Sequence, residues 1–424
     1  MRRFVSIVLL LALLLGSANA SVSVRMDDAA VLLAEDGAEL VAAGAFEDIV
    51  SLGDGLFAAS FDGDLYALMD ENGALLTDAL YSDLRLDGGM LFARRGGAWG
   101  LMDRGGAELS AFVYSRIETD GVGCWALRGD EGPDALLLMD FAGSVRDSGL
   151  RVLRTGEARD GLLPVLLESN LWGACDAEGH MAVPAEYDFI GSFVAGRAAA
   201  VSGGLYGAID PSGAWVAAPA YDFLEISDGG FMLAADAGGA YLMDLDGRKL
   251  VAWSGEDIYA AIAGSYFIIG DGEALRVFDA AGTVLAELAP DASVSEGVGE
   301  HLVISEGMWG EECVRLLDTE TAYQNLYPLG TAGGEPVYAY MEVNAARYEN
   351  DLLHEIQISV DMDTARYGLA NGAGERVLPC DYLSVEFLAD DRFLVRTERQ
   401  WQMIDSSGKV CWRRRVTKTE ASSF

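Results

Sequence analysis

LYGAIDPSGAWVAAPAYDFL, residues 205–224, reads as two apolar strands broken by Asp210-Pro211-Ser212-Gly213, and LWGACDAEGHMAVPAEYDFI at 171–190 has the same layout. Stepping along the chain on the turn residue gives Asp70, Asp103, Asp140, Asp176, Asp210, Asp244, Asp279, Asp318, Asn371 and Asp405. The spacing is about 35 residues, broken by a longer gap between Asp318 and Asn371. Gly stands three places after the anchor in every unit except the Asp318 unit, DTET, and an eroded copy with Ala34 and Gly37 precedes them all. The pairing has a physical cause. Asp at the head of a turn accepts the backbone amides that the turn leaves free, and the residue closing the hairpin takes positive φ, which Gly does without strain. Each Asp-x-x-Gly is therefore a hairpin tip.

Other phases recur with it. Tyr falls eleven residues after the anchor at Tyr81, Tyr114, Tyr187, Tyr221 and Tyr382. An aromatic falls four before it at Tyr66, Trp99, Trp172, Tyr206, Tyr367 and Trp401. A second Gly opens a short apolar run such as GLFAAS (55–60) or GSYFII (264–269). The unit thus reads strand, Asp-x-x-Gly turn, strand, a Tyr-containing segment, Gly, strand. Units of this size cannot bury their faces alone and must stack on neighbours, so the sequence holds no separate catalytic domain. The fold class expected is all-β, built of tandem β-repeats over 21–415.

These residues carry a resemblance. Trp99-Gly100 before Asp103 and Gly106, Trp172-Gly173 before Asp176 and Gly179, and Tyr206-Gly207 before Asp210 and Gly213 resemble the bacterial WG repeat, as do Tyr367-Gly368 and the Pro-x-x-Tyr segments ending at Tyr187 and Tyr382. The resemblance spans roughly 30–415 and implies a propeller-like β-repeat architecture with a binding role and no known catalytic residues. The aromatic at a phase fixed by the repeat reads as core packing rather than as a ligand face. The Gly behind it is expected to let the neighbouring sheet approach closely. Closure into one ring is the expectation, with N- and C-terminal strands completing a shared sheet; two smaller propellers or an open superhelix are the alternatives.

The chain opens MRRFVSIVLLLALLLGSANA, with the charged, apolar, small-residue order of a secretory signal, so cleavage after about Ala20 and a secreted or extracytoplasmic product without a transmembrane segment are expected. With 29 Lys and Arg against 67 Asp and Glu the net charge is −38, a field that repels nucleic acid and anionic lipid. Its plain reading is a solvated, non-sticky surface; a taste for cations or basic polymers is the functional one. Five cysteines, Cys124, Cys175, Cys313, Cys380 and Cys411, are scattered without a CxxC. Outside the cell a pair such as Cys380 and Cys411 can bridge, but spacing assigns no connectivity.

Catalytic motifs are missing. His180, His301 and His354 fall in different units, none in an HExxH pattern, and neither a G-x-S-x-G nor a phosphate-binding Gly-rich loop is present. No metal, cofactor or catalytic residue is expected. The acidic turns DENG (70–73), DAEG (176–179) and DLDG (244–247) lack the alternating oxygen ligands of a calcium loop and read as turn caps. The break in the beat holds an insertion near 337–362, read as strands 337–343 and 353–360 joined by a polar stretch with Asn344, Tyr348, Glu349 and Asn350. An insertion on one face of a repeat array suits a specific contact, although a decorative hairpin over a decayed repeat is the plainer account. The contact candidates are Trp309, Tyr348 and His354. The basic run from Trp412 through Arg413, Arg414 and Arg415 to Lys418 is expected to dock on the molecule's own acidic surface rather than on anionic cell-wall polymer, with 416–424 the C-terminal tail and 419–424 frayed. The function read from all this is an exported, non-enzymatic scaffold binding a protein or an envelope glycan; the alternative is a carboxylate-dependent glycoside hydrolase acting on envelope polysaccharide.

Overall fold

The computed structural model describes residues 21–416 apart from 27–28, 35, 130–132, 255–257, 308–312, 351–354 and 390. The segment read as a secretory signal and the tail from 417 lie outside the described residues. Every regular element described is a β-strand, and among the described residues no helix is long and apolar enough to cross a membrane. The strands form ten antiparallel sheets in chain order. One of these, seven-stranded, joins two units through the long strand Val145–Thr155, so the described units number eleven.

Residues 223–253 show the unit in full. Strands Phe223–Ile226, Phe231–Asp236, Gly239–Asp244 and Lys249–Trp253 pair in sequence order. The third and fourth are joined by Asp244 to Gly247. Asp244 Oδ1 accepts the amides of Asp246 at 3.1 Å and Arg248 at 2.8 Å, and the Gly247 amide donates to the Asp244 carbonyl at 3.0 Å. The same acceptor arrangement recurs at Asp70, Asp103, Asp140, Asp210, Asp279, Asn371 and Asp405. The turn chemistry is thus satisfied locally, with each Asp side chain capping its own hairpin.

Sheets meet face to face, and each junction holds its own apolar cluster. Between the units at 223–253 and 259–288, for example, Phe231, Leu242, Phe267 and Ile269 interdigitate without solvent contact. Burying one such Phe contributes about 2 kcal/mol. The first strands of successive units approach one another, as do Asp48–Gly53 with Asp83–Asp87 and Asn325–Ala332 with Ser384–Ala389, and so form the inner edge of the stack.

The last unit packs on the first. Val24, Val31 and Leu33 share a cluster with Leu394, Trp401, Met403 and Trp412. The turn glycines abut the unit before them, most of them at the segment that follows its own turn: a Cβ at Gly143 would stand 2.3 Å from the Leu109 carbonyl oxygen, one at Gly247 2.4 Å from that of Val216. A Cβ at Gly37 in the first unit would stand 2.2 Å from the carbonyl oxygen of Cys411 in the last, so the junction of the two ends repeats the contact made between consecutive units. The expected shared sheet is not what joins them. Val22–Met26 pairs within its own three-stranded sheet and Val410–Arg415 completes a four-stranded one, so the ends meet by stacking. Trp412 sits in this seam, where its Nε1 donates to Glu39 Oε1 at 3.0 Å.

The insertion also differs from its reading. The second and third strands of the unit at 325–382 are Glu335–Asn350 and Glu355–Asn371, paired from Val337 with Asn371 to Asn350 with Glu355. The polar stretch with Asn344, Tyr348, Glu349 and Asn350 is thus strand, not connection. No Gly or Pro occurs between Pro336 and Gly368, so nothing ends the pairing. The flanking strands stop short, at Asn325 opposite Met341 and at Tyr382 opposite Tyr367, and the hairpin beyond them projects as two strands.

Candidate functional site

The aromatic before the Gly lies on the third strand of its unit, directly across from the Tyr of the fourth. Tyr66 pairs with Tyr81, Trp99 with Tyr114, Trp172 with Tyr187, Tyr206 with Tyr221 and Tyr367 with Tyr382. Trp172 is buried and meets Phe189 edge-on at 5.5 Å; Trp99 and Tyr206 are half-buried, and the Arg85 guanidinium lies 5.0 Å over the Trp99 ring. The Gly that follows has a local role. Pairing slips between Trp172 and Ala174 and between Tyr206 and Ala208, so the fourth strand bulges over Gly173 and Gly207. A Cβ there would lie 2.6 Å from Val183 O and 2.5 Å from Ala217 O respectively, and one at Gly100 2.9 Å from the Phe112 ring. The close approach is thus made at Gly173 and Gly207 by a strand of the same sheet, not by the neighbouring sheet. The turn residues Asp103, Asp176, Asp210, Gly106, Gly179 and Gly213 cap hairpins and touch the unit before them; the Tyr187 hydroxyl donates to the Gly213 carbonyl.

Of the three contact candidates, Trp309 and His354 lie outside the described residues. Tyr348 is paired with Gln357 on the projecting hairpin, and its side chain is outside what is described. His180 is exposed, 3.5 Å from its own turn's Asp176, while His301 faces Tyr338 in the next unit at 6.4 Å. Among the described residues, His180 and His301 stand in separate units and form no common site. The five cysteines are unpaired. Burial pushes the Cys124 and Cys175 thiols up to about 12.

What the structure does assemble is a cavity of about 560 Å³ at the root of the inserted hairpin. Two departures from the repeat create it. The Asp318 unit lacks the Asp-Gly turn; its fourth strand shrinks to one bridge, Val314 with Tyr323, and leaves a gap beside Cys313. In the next unit the elongated hairpin slips register between Glu342 and Asn344, where Glu342 faces Arg366 but Asn344 faces Asp361. Thr364 stabilises that bulge, accepting the Asn344 amide at 2.9 Å and donating to the Asp361 carbonyl at 2.6 Å.

Polar groups converge on the space. Arg376 lies 3.0 Å from Glu342 Oε1, with its guanidinium 5.0 Å over Tyr340 and 5.6 Å over Tyr323. Arg366 is held through Nη1 by the Ala365 carbonyl at 2.8 Å and stands 3.9 Å from Glu398. Gln324 Oε1 accepts the Val343 amide at 2.6 Å, which fixes the side-chain amide at the rim. Cys380 donates to the Arg366 carbonyl at 2.7 Å, and burial pushes its thiol up to about 11, so it is uncharged at neutral pH. Burial likewise raises Tyr323, and Tyr340 to about 12. The charged lining is therefore two arginines and one glutamate, a formal +1 in a chain of −38. Sequence reasoning missed Arg366 and Arg376. The available signal was weak: Arg376 stands five residues past its turn anchor, where Leu75, Val145, Met181, Trp215, Val284 and Val410 stand in other units but where Glu108 and Lys249 are charged as well.

Among solved structures the chain is similar to BamB from Moraxella catarrhalis, at 13% identity over 68% of this chain and 97% of that one with a TM-score of 0.33. It is also similar to a eukaryotic initiation factor, at 8% identity over 83% and 93% with a TM-score of 0.43, and to the WD40 β-propeller domain of Doa1, at 12% over 72% and 93% with a TM-score of 0.23. No curated protein matches it in sequence. Residues 172–206 and 206–235 match the family described as WG containing repeat. With Trp172-Gly173 and Tyr206-Gly207 opening these matches, and the same strand, turn and aromatic phases carried through the neighbouring sheets, the chain is a propeller-like, WG-repeat-containing β protein.

Proposed function

We propose that the protein is an exported, non-enzymatic scaffold whose repeats build a rigid ring and whose specific contact with a protein or envelope ligand is made at the inserted hairpin. The observation that carries this is the coincidence of the longest insertion in the repeat with a polar cavity of about 560 Å³ at its root. Elsewhere the repeat residues serve turns, bulges and sheet-to-sheet packing; around 313–380 they give way to unshared polar groups above which two strands project. Rigid elements with a local irregularity are where binding sites are best positioned. The apolar opening segment MRRFVSIVLLLALLLGSANA supports export.

The hydrolase alternative needs two carboxyl groups facing each other across one substrate, roughly 5–10 Å apart. Glu225 and Glu386, both solvent-accessible on the first strands of their units, have carboxyls raised by desolvation. They stand on separate units, and among the described residues neither shares its unit with a second raised carboxyl, which favours the scaffold reading.

The test is a hairpin trimmed from Ala346 to Ser359 and closed with Asn-Gly, which keeps the strands that pair within the unit. The full chain and the trimmed variant are immobilised and exposed to envelope extract, with captured species identified by mass spectrometry and released reducing ends measured in parallel. Ligand retained by the full chain and lost by the trimmed variant supports the proposal. Equal retention by both moves the contact to the repeated surface, and release of reducing ends overturns the non-enzymatic reading.

A further inference from the structure

We infer that the cavity at the hairpin root binds the carboxylate of a small hydroxylated acid, held by Arg366 and Arg376. The inference rests on the reading that this hairpin carries the contact, and it names the chemistry recognised there. Among the described residues Arg376 has one polar partner, Glu342, on Nη1; its flat face is covered by Tyr323 and Tyr340, which hold the plane of the fork. Arg366 is anchored through Nη1 to the Ala365 and Asp363 carbonyls, with the exposed Glu398 3.9 Å from its Nη2, so its orientation is fixed while its Nε makes no hydrogen bond among the described residues. A guanidinium held in this way meets a carboxylate with two parallel N–H donors.

Charge selects among anions. Within the lining Glu342 offsets one arginine and leaves a formal +1, with the exposed carboxylate of Glu398 beside Arg366 at its edge, so the site suits a monoanion rather than a phosphate dianion. Around that charge stand neutral amides. Gln324 has its oxygen committed to the Val343 amide, leaving its NH₂ as a donor, and the Asn344 side chain has no described protein partner. Such groups hydrogen-bond hydroxyls. The volume of about 560 Å³ accommodates a molecule of monosaccharide size. A structural role for the arginines accounts for little of this. Arg376 and Glu342 are half-exposed, and exposed pairs of that kind contribute about 0–1 kcal/mol.

Titration calorimetry on the full chain with D-glucuronate, glucose, acetate and N-acetylalanine tests the inference. Glucuronate is expected to bind at least tenfold more tightly than glucose or acetate, with Arg366→Gln and Arg376→Gln each weakening it at least tenfold. Arg376→Lys, which keeps the charge but not the fork, should weaken it as well, and Arg248→Gln, in a distant turn, should not. N-acetylalanine binding as tightly as glucuronate, equal binding of glucose, or wild-type affinity in both glutamine variants overturns the inference. Circular dichroism of each variant separates lost binding from lost fold. The hairpin-trimmed variant retains the cavity and should still bind glucuronate. If it loses envelope capture while no protein binds glucuronate, the scaffold reading stands and this one falls.

Discussion

The indole Nε1 of Trp412 donates to the Glu39 carboxylate at 3.0 Å, joining the last unit of the chain to the first. The bond lies beside an apolar cluster in which Trp412 and Trp401 are buried against Val24, Val31 and Leu33. Open sheet faces at the two ends of a repeat array need capping, and here each end covers the other.

Removing the indole should therefore cost more than an ordinary surface change. Trp412→Ala is expected to destabilise the protein by about 3 kcal/mol through lost packing, and Glu39→Gln by about 1 kcal/mol, because it weakens only the charge-assisted bond. Urea unfolding followed by fluorescence measures both. A Trp412→Ala midpoint equal to that of Glu39→Gln would show that the seam contributes no core.

Turn glycines offer a matched comparison. Gly204 and Gly247 have nearly the same φ, +82° and +81°, but a Cβ at Gly204 meets nothing within 4 Å while one at Gly247 would lie 2.4 Å from Val216 O. Gly204→Ala should cost about 1 kcal/mol, the backbone term alone, and Gly247→Ala about 2 kcal/mol more, since the turn must back away from the unit before it. Equal costs in thermal unfolding would mean that the sheets yield freely at the turn.

That comparison also marks what was legible in the sequence. Asp-x-x-Gly encodes both a local requirement, positive φ with a capping acceptor, and a packing one, and the local half alone was enough to set the period and the strand order. The role of Gly173 and Gly207 was misassigned because a close approach is inferred from a missing side chain without saying which strand approaches. The seam between Gly37 and Cys411 was foreseen as a meeting of the ends, but its stacking geometry depends on how many sheets the ring takes, which no single unit records. The arginine cavity was out of reach for a different reason. Arg366 and Arg376 flank the turn at Asn371, but what unites them with Gln324 and Cys313 is a strand lost in one unit and a bulge in the next.

Thiol accessibility should divide the cysteines sharply. Cys124 and Cys175 are buried with thiols pushed up to about 12, whereas Cys313 is exposed at the cavity. Iodoacetamide at pH 8 is expected to modify Cys313 well before Cys124 or Cys175, because alkylation needs an accessible thiolate. Peptide mapping of a time course reads the order. Early labelling of Cys175 would show that the sheets around it open on that timescale.

Acid stability follows from the turn carboxylates. Asp140 is lowered by the hydrogen bond from the Ser144 amide, Asp244 by that from the Arg248 amide, and Asp210 by the Ser212 hydroxyl and then by backbone amides. A depressed carboxyl contributes stability above its ordinary value near 4 and loses it as pH falls through the folded value, so these turns weaken below about pH 4. The raised carboxyls of Glu225 and Glu386 act oppositely, since their folded forms favour the proton and gain as pH falls from neutrality. Easing of the −38 net charge acts in the same direction. Stability should thus peak at mildly acidic pH and fall steeply below about 4. Asn371 caps its turn with the same two amide contacts and no charge, so Asn is a native solution at this position. Replacing Asp140, Asp210 and Asp244 together by Asn should lower the midpoint of urea unfolding only slightly at pH 7 and shift the acid transition to lower pH. An acid transition unmoved in the triple variant would place the acid sensitivity outside the turns.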